Sequence, residues 1–95
     1  MFVTLAFHHP RPEHLEDFAA FMKRIEAGMQ GTDGLLSIES YRDAGSGDLV
    51  AIGRWHSAEQ AQAGVPKLLA IGGRVADWTD RPDDLYQLIA IPQSD

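Results

Sequence analysis

The sequence predicts an α+β class domain, a ferredoxin-like β-α-β-β-α-β sandwich with one antiparallel four-stranded sheet. Three observations carry that expectation. Apolar runs of strand length stand near the two ends of the chain, at Phe2–Phe7 and Leu85–Ile91. Two further runs, Leu35–Arg42 and Leu49–Trp55, flank Asp43-Ala-Gly-Ser-Gly-Asp48, a Gly-rich turn of hairpin length. Between the strands lie two segments whose apolar residues recur at three- and four-residue spacing. With 95 residues, no long linker and no low-complexity tract, residues 1–95 read as a single domain.

Each element has its own local warrant. Pro10 and Pro12 stop the first strand, and Pro12 suits the first position of a helix. Leu15, Phe18, Ala19, Met22, Ile25 and Met29 form one face of that helix. Glu13, Glu16 and Asp17 sit near its start, as the helix dipole favours, and Gly28, Gly31 and Gly34 end it. Those glycines close a helix and precede a strand, so they are not a phosphate loop. Leu49–Ile52 is apolar and partly β-branched, which suits a strand covered on both faces. Ser57 reads as a helix N-cap, with Gln60 placed to reach back to its backbone N–H. The second helix is expected in two pieces, broken or bent at Pro66. Its apolar period continues through Val65, Leu68, Leu69, Gly72, Val75 and Ala76 and ends near Trp78 and Thr79. Asp80–Asp84 is a loop, and Pro92 stops the last strand.

Composition excludes several function classes. The net charge of −6 and eight scattered Lys and Arg argue against nucleic-acid and anionic-membrane partners, which need a basic surface. Without Cys there is neither a disulfide framework nor a thiolate metal site. Met1–Phe7 is too short for a membrane span and lacks the basic start and cleavage site of a signal peptide, so a cytoplasmic location is expected.

Both terminal strands are apolar on both faces. Val3, Leu5 and Phe7 lie on one side of the first, Phe2 and Ala6 on the other. The last puts Leu85, Ile89 and Ile91 on one face and Tyr86, Leu88 and Ala90 on the other. Helices in this order cover one face only, so the second face calls for a partner. A symmetric homodimer is the commonest way to supply one.

The chain resembles the antibiotic biosynthesis monooxygenase (ABM) family of dimeric α+β barrel domains over nearly its full length. Three segments carry the resemblance: the opening strand through His9-Pro10 into Glu13–Phe18; Asp33-Gly-Leu-Leu-Ser-Ile-Glu-Ser-Tyr-Arg-Asp43; and Leu49-Val-Ala-Ile-Gly-Arg-Trp-His-Ser-Ala-Glu-Gln60. It implies two sheets meeting in a barrel between subunits, with a pocket between each sheet and its own helices. It also implies oxidation of polycyclic phenols to quinones without metal or flavin. A heme-degrading branch uses an Asn on the first strand and a Trp and a His in the second helix region. Here Phe7-His8-His9 stands where the Asn would fall, and residues 57–77 contain neither Trp nor His, which argues against heme degradation. Arg11 stands where relatives often carry Gly, so the first loop is expected to differ in shape.

In the strand order 4-1-3-2, His8 and His9 lie near Asp48, whereas His56 falls at the opposite end, about 20 Å away at roughly 3.3 Å per residue. A four-histidine site is therefore excluded. His8, His9 and His14 could meet near Asp48 or Asp84. Adjacent strand residues point to opposite faces, however, so a shared metal is disfavoured and none is expected. One pocket-facing His acting as a base is the better reading. His9 is preferred over His8 because it shares the face of Val3, Leu5 and Phe7. Phe7, Phe18, Phe21, Met22 and Trp78 are the candidate lining for a small aromatic ligand, although ordinary core packing explains such a stripe equally well. Trp55 reads as core, and Glu39 and Arg54 as a cross-hairpin pair at an exposed or rim position. The expected function is a cofactor-independent monooxygenase acting on a small aromatic or polyketide-like phenol. The alternatives are a non-catalytic ligand-binding or stress-related barrel, or a small isomerase on the same scaffold.

Overall fold

The structure is a computed structural model that describes residues 1–72 and 76–92. Four strands, β1 (Phe2–His8), β2 (Leu35–Arg42), β3 (Leu49–Trp55) and β4 (Asp84–Ile89), form one antiparallel sheet in the order β2-β3-β1-β4. Two helices, α1 (Leu15–Met29) and α2 (Ala58–Gly72), complete the β-α-β-β-α-β order. In the register, Phe2 lies opposite Trp55 and Ile89, and His8 lies opposite Leu49.

The helices cover one face of the sheet. Phe2 and Trp55 pack there with Ile25 and Met29 of α1 and Ala61 of α2. A second buried group, Phe18, Met22 and Leu49, lies toward the other end of α1. Strand alternation therefore turns Phe2, Thr4, Ala6 and His8 toward the helices. Val3, Leu5, Phe7, Val50 and Ile52 form the open face.

Local chemistry explains most boundaries. Pro12 opens a short 3₁₀ turn, Pro12–His14, ahead of α1. Asp43 accepts the Ser46 hydroxyl and backbone N–H at 2.6 and 3.0 Å, and Gly47 takes φ +80°, closing the β2–β3 hairpin. The Ser57 hydroxyl accepts the Gln60 backbone N–H at 3.2 Å, as an N-cap should. The Gln60 side chain meets the Ser57 hydroxyl and Asp33, not the Ser57 backbone.

Three expectations are corrected. The second helix runs unbroken through Pro66, because Pro66 and Gln62, whose carbonyl loses its partner there, both lie on the exposed side. Its buried face is Ala61 and Gly64, with half-buried Ile71, while Val65, Leu68 and Leu69 are exposed. The helical period does not extend to Trp78. α2 is described to Gly72, Ala76–Trp78 is a 3₁₀ turn, and the expected helical position Val75 lies outside the described residues. Thr79 instead bridges to Pro10. The last strand begins at Asp84 and ends at Ile89, two residues before Ile91.

Candidate functional site

The end of β1 gathers the chemistry-bearing side chains, and strand alternation divides them between two faces. His8 lies on the helix side, its ring 4.8 Å from that of Phe18. Its Nδ1 stands 3.0 Å from Asp83 Oδ2, off the line of a hydrogen bond, and is buried with no hydrogen-bond partner. The contact is thus one of proximity. Phe18 meets Phe21 edge-on at 5.5 Å and Trp78 at 6.3 Å, and His14 stacks on the Trp78 indole at 5.8 Å and 15°. Such offset and edge-on arrangements suit aromatic quadrupoles.

His9 belongs to the other face and is only 4 % exposed. Its Nδ1 is 2.9 Å from Asp48 Oδ2 and its Nε2 is 2.9 Å from Asp84 Oδ2. Arg81 Nη2 also approaches Nδ1, at 3.0 Å, and lies 3.8 Å from Asp48. Both carboxylates accept only if both ring nitrogens carry protons. An arginine N–H can donate to Nδ1 only when that atom is bare.

Of the expected lining, Phe18, Phe21, Met22 and Trp78 come together with His8 on the helix side. Phe7 does not join them; it points to the open face and meets Tyr86 edge-on at 6.1 Å. Phe18 and Met22 are buried within the core. A groove of about 170 Å³ between α1 and the hairpin is lined by Met22, Lys23, Tyr41 and Leu49 among others, with no histidine in its lining. His14 pairs with Asp17, and His56 lies at the opposite end of the sheet beside Trp55. Among the described residues no group of three or more His, Asp or Glu could hold a metal ion.

Asp83 and Arg81 were missed in the sequence. The signal was present: His8-His9 and Asp83-Asp84 are adjacent pairs on neighbouring antiparallel strands, with Phe7 opposite Asp84. Reading β4 from Leu85 left both carboxylates in a loop.

On the open face, Glu39 accepts hydrogen bonds from Tyr41 and Arg54, and from Ser37 at 3.1 Å. The Glu39–Arg54 pair expected across the hairpin is present at a partly exposed position. The Tyr41 hydroxyl, more than Ser37 or Arg54, holds the Glu39 carboxyl below its ordinary value, against a smaller opposing effect of burial. The same bond raises the Tyr41 phenol.

No family model and no curated protein matches the chain. Solved structures do. A candidate antibiotic biosynthesis monooxygenase from Nitrosomonas europaea superposes with a TM-score of 0.86 at 17 % identity, covering 97 % of this chain and 100 % of that one. The chain has the fold of the antibiotic biosynthesis monooxygenases. Rv0793 from Mycobacterium tuberculosis shares this ABM fold at TM-score 0.85 and 23 % identity, covering 99 % and 98 % of the two chains. MhuD, a heme-degrader from the same organism crystallised with two hemes in its active site, matches at 0.77 and 15 %, over the full length of both. At these identities the ABM scaffold is what is shared. No helix among the described residues is long and apolar enough to cross a membrane.

Proposed function

We propose that this chain is an ABM-family oxygenase that acts on a small phenol as a cytoplasmic homodimer, with His8 as the base. One observation carries the reading: His8 stands on the helix side of the sheet, between the Asp83 carboxylate and the aromatic ring of Phe18. A carboxylate beside Nδ1 orients the imidazole and stabilises the proton it takes up, leaving Nε2 to meet the substrate. Alignment with Asp83 is expected to tighten when substrate binds, since catalytic hydrogen bonds are often poorly formed in the free protein. His9 offers a substrate no open ring nitrogen, because carboxylates face both.

Chemically, His8 removes the phenolic proton, and the electron-rich anion transfers one electron to O₂. Recombination with superoxide forms a C–O bond, the peroxide takes the proton back from His8, and loss of water leaves a carbonyl. A ring CH₂ thus becomes C=O, one oxygen atom entering the quinone and the other leaving in water. Phe18, Phe21 and Trp78 would supply flat apolar surface for the rings. Heme is not the substrate favoured here, since Phe7-His8-His9 stands where the Asn of the heme-degrading branch would fall.

The edge-on packing of Phe18, Phe21 and Trp78 favours one other reading, a barrel that binds an aromatic ligand without turning it over. An oxygen electrode with anthrone-like phenols and hydroquinones separates the two. The oxygenase reading expects uptake that falls about 10²–10⁴-fold in His8→Ala. Uptake unchanged in that variant rejects His8 as the base. Ligand-induced quenching of Trp78 fluorescence without oxygen uptake selects the binding reading.

A further inference from the structure

His9 is buried, titratable and unused by the chemistry above. We propose that it is a positioning residue: as an imidazolium it ties segment 79–84 to the end of β1 and so holds Asp83 against His8. The role rests on the reading of His8 as the base.

The ring joins three separate stretches of chain. It sits at the end of β1, Asp48 precedes β3, and Asp84 opens β4, each carboxylate oxygen 2.9 Å from a ring nitrogen. Among the described residues, Arg81, from the loop before β4, is the remaining charged group at hydrogen-bond distance from the ring. Together His9⁺, Arg81⁺, Asp48⁻ and Asp84⁻ sum to zero, so the protonated ring completes a neutral cluster. The Nδ1–H donates to Asp48 and the Nε2–H to Asp84, two ties that only the doubly protonated ring makes together.

The backbone carries the effect to the site. The His9 carbonyl accepts the Asp80 N–H at 3.1 Å, Pro10 bridges Thr79, and the Arg11 N–H donates to the Trp78 carbonyl at 2.7 Å. Segment 79–84 is thereby laced along residues 9–11 at one end and clamped by His9–Asp84 at the other. Asp83, next to Asp84, meets His8, next to His9, on the opposite face. Two His–Asp contacts share the same pair of strands, so movement of Asp84 carries Asp83 with it.

Ring ¹⁵N spectra and amide hydrogen exchange test this on the intact protein without substrate. Wild type should show both His9 nitrogens protonated, with slow exchange at the Asp80 and Arg11 amides. His9→Gln should speed exchange at those amides about tenfold. Asp84→Asn, which keeps the shape but gives up the anion facing Nε2, should speed exchange at the same amides. It carries the test alone if His9→Gln fails to fold. A neutral His9 with bare Nδ1 throughout, or wild-type exchange in both variants, overturns the proposal. Absence of oxygen uptake would reject the oxygenase reading and leave the clamp standing. Uptake with an unaltered pH profile in Asp84→Asn would overturn the coupling to His8.

Discussion

The six-membered ring of Trp55 lies against the bare backbone of Gly64, where an added β-carbon would stand 2.6 Å from Cη2. That close approach seats α2 on the end of β3. Trp55 is 5 % exposed and shares its core with Phe2, Ile25, Met29 and Ala61, so the ring has little room to retreat.

Gly64→Ala should therefore destabilise the fold. Alanine gains about 1 kcal/mol in helix propensity, whereas overpacking costs roughly 1–3 kcal/mol. A net loss of about 1 kcal/mol, read as a fall of roughly 4–8 °C in the melting temperature, is expected. A melting temperature at or above wild type would show that α2 shifts away freely.

Ser57→Ala removes the acceptor of the Gln60 backbone N–H and should cost about 1 kcal/mol, measured by urea unfolding with an unchanged m-value. Ser57→Asp, which restores a capping oxygen, should recover most of the loss.

The Glu39–Tyr41 bond makes a signed pH prediction. Glu39 titrates below its ordinary 4.5 in the folded chain. Its contribution is present above that ordinary value and is lost as pH falls through the lowered one. Tyr41 titrates above 10.0, so its contribution holds below that value and is lost as pH rises through the raised one. Tyr41→Phe should move the Glu39 carboxyl midpoint upward toward 4.5 in a ¹³C NMR titration, while Ser37 and Arg54 keep it from reaching that value. An unmoved midpoint would assign the shift to Ser37 and Arg54 instead.

The open face predicts self-association. Val3, Leu5, Phe7 and Ile52 are only partly covered, and Tyr86 and Leu88 are 50 % and 47 % exposed. Soluble monomers rarely expose so continuous an apolar patch. Equilibrium sedimentation should give twice the 10.4 kDa of one chain, and Leu5→Glu at the centre of the patch should reduce it to a monomer. A stable wild-type monomer would refute the dimer.

Much of the fold was legible because its signals are local. The Asp43–Asp48 turn, the Ser57 cap and the apolar period of α1 each depend on neighbours a few residues away. Errors arose where a distant surface decides. Val65, Leu68 and Leu69 have a helical period but point outward, because the close seat for α2 is made by the small residues Ala61 and Gly64 under Trp55. Pro66 marked a break only on the assumption that its missing hydrogen bond was buried. For the site, the separation of His56 from the other histidines followed from strand order. The choice between His8 and His9 did not, since residue type alone assigns neither face to the helices.

The sequence by itself determined the element order, the antiparallel sheet and the end of it where the histidines gather, because alternation, capping and turn chemistry are properties of short segments. Tertiary structure alone decided which histidine meets the aromatic rings and which is held between two carboxylates. Asp83 and Asp84 lie some 75 residues from His8 and His9, and only the register of β4 on β1 sets each carboxylate against its imidazole.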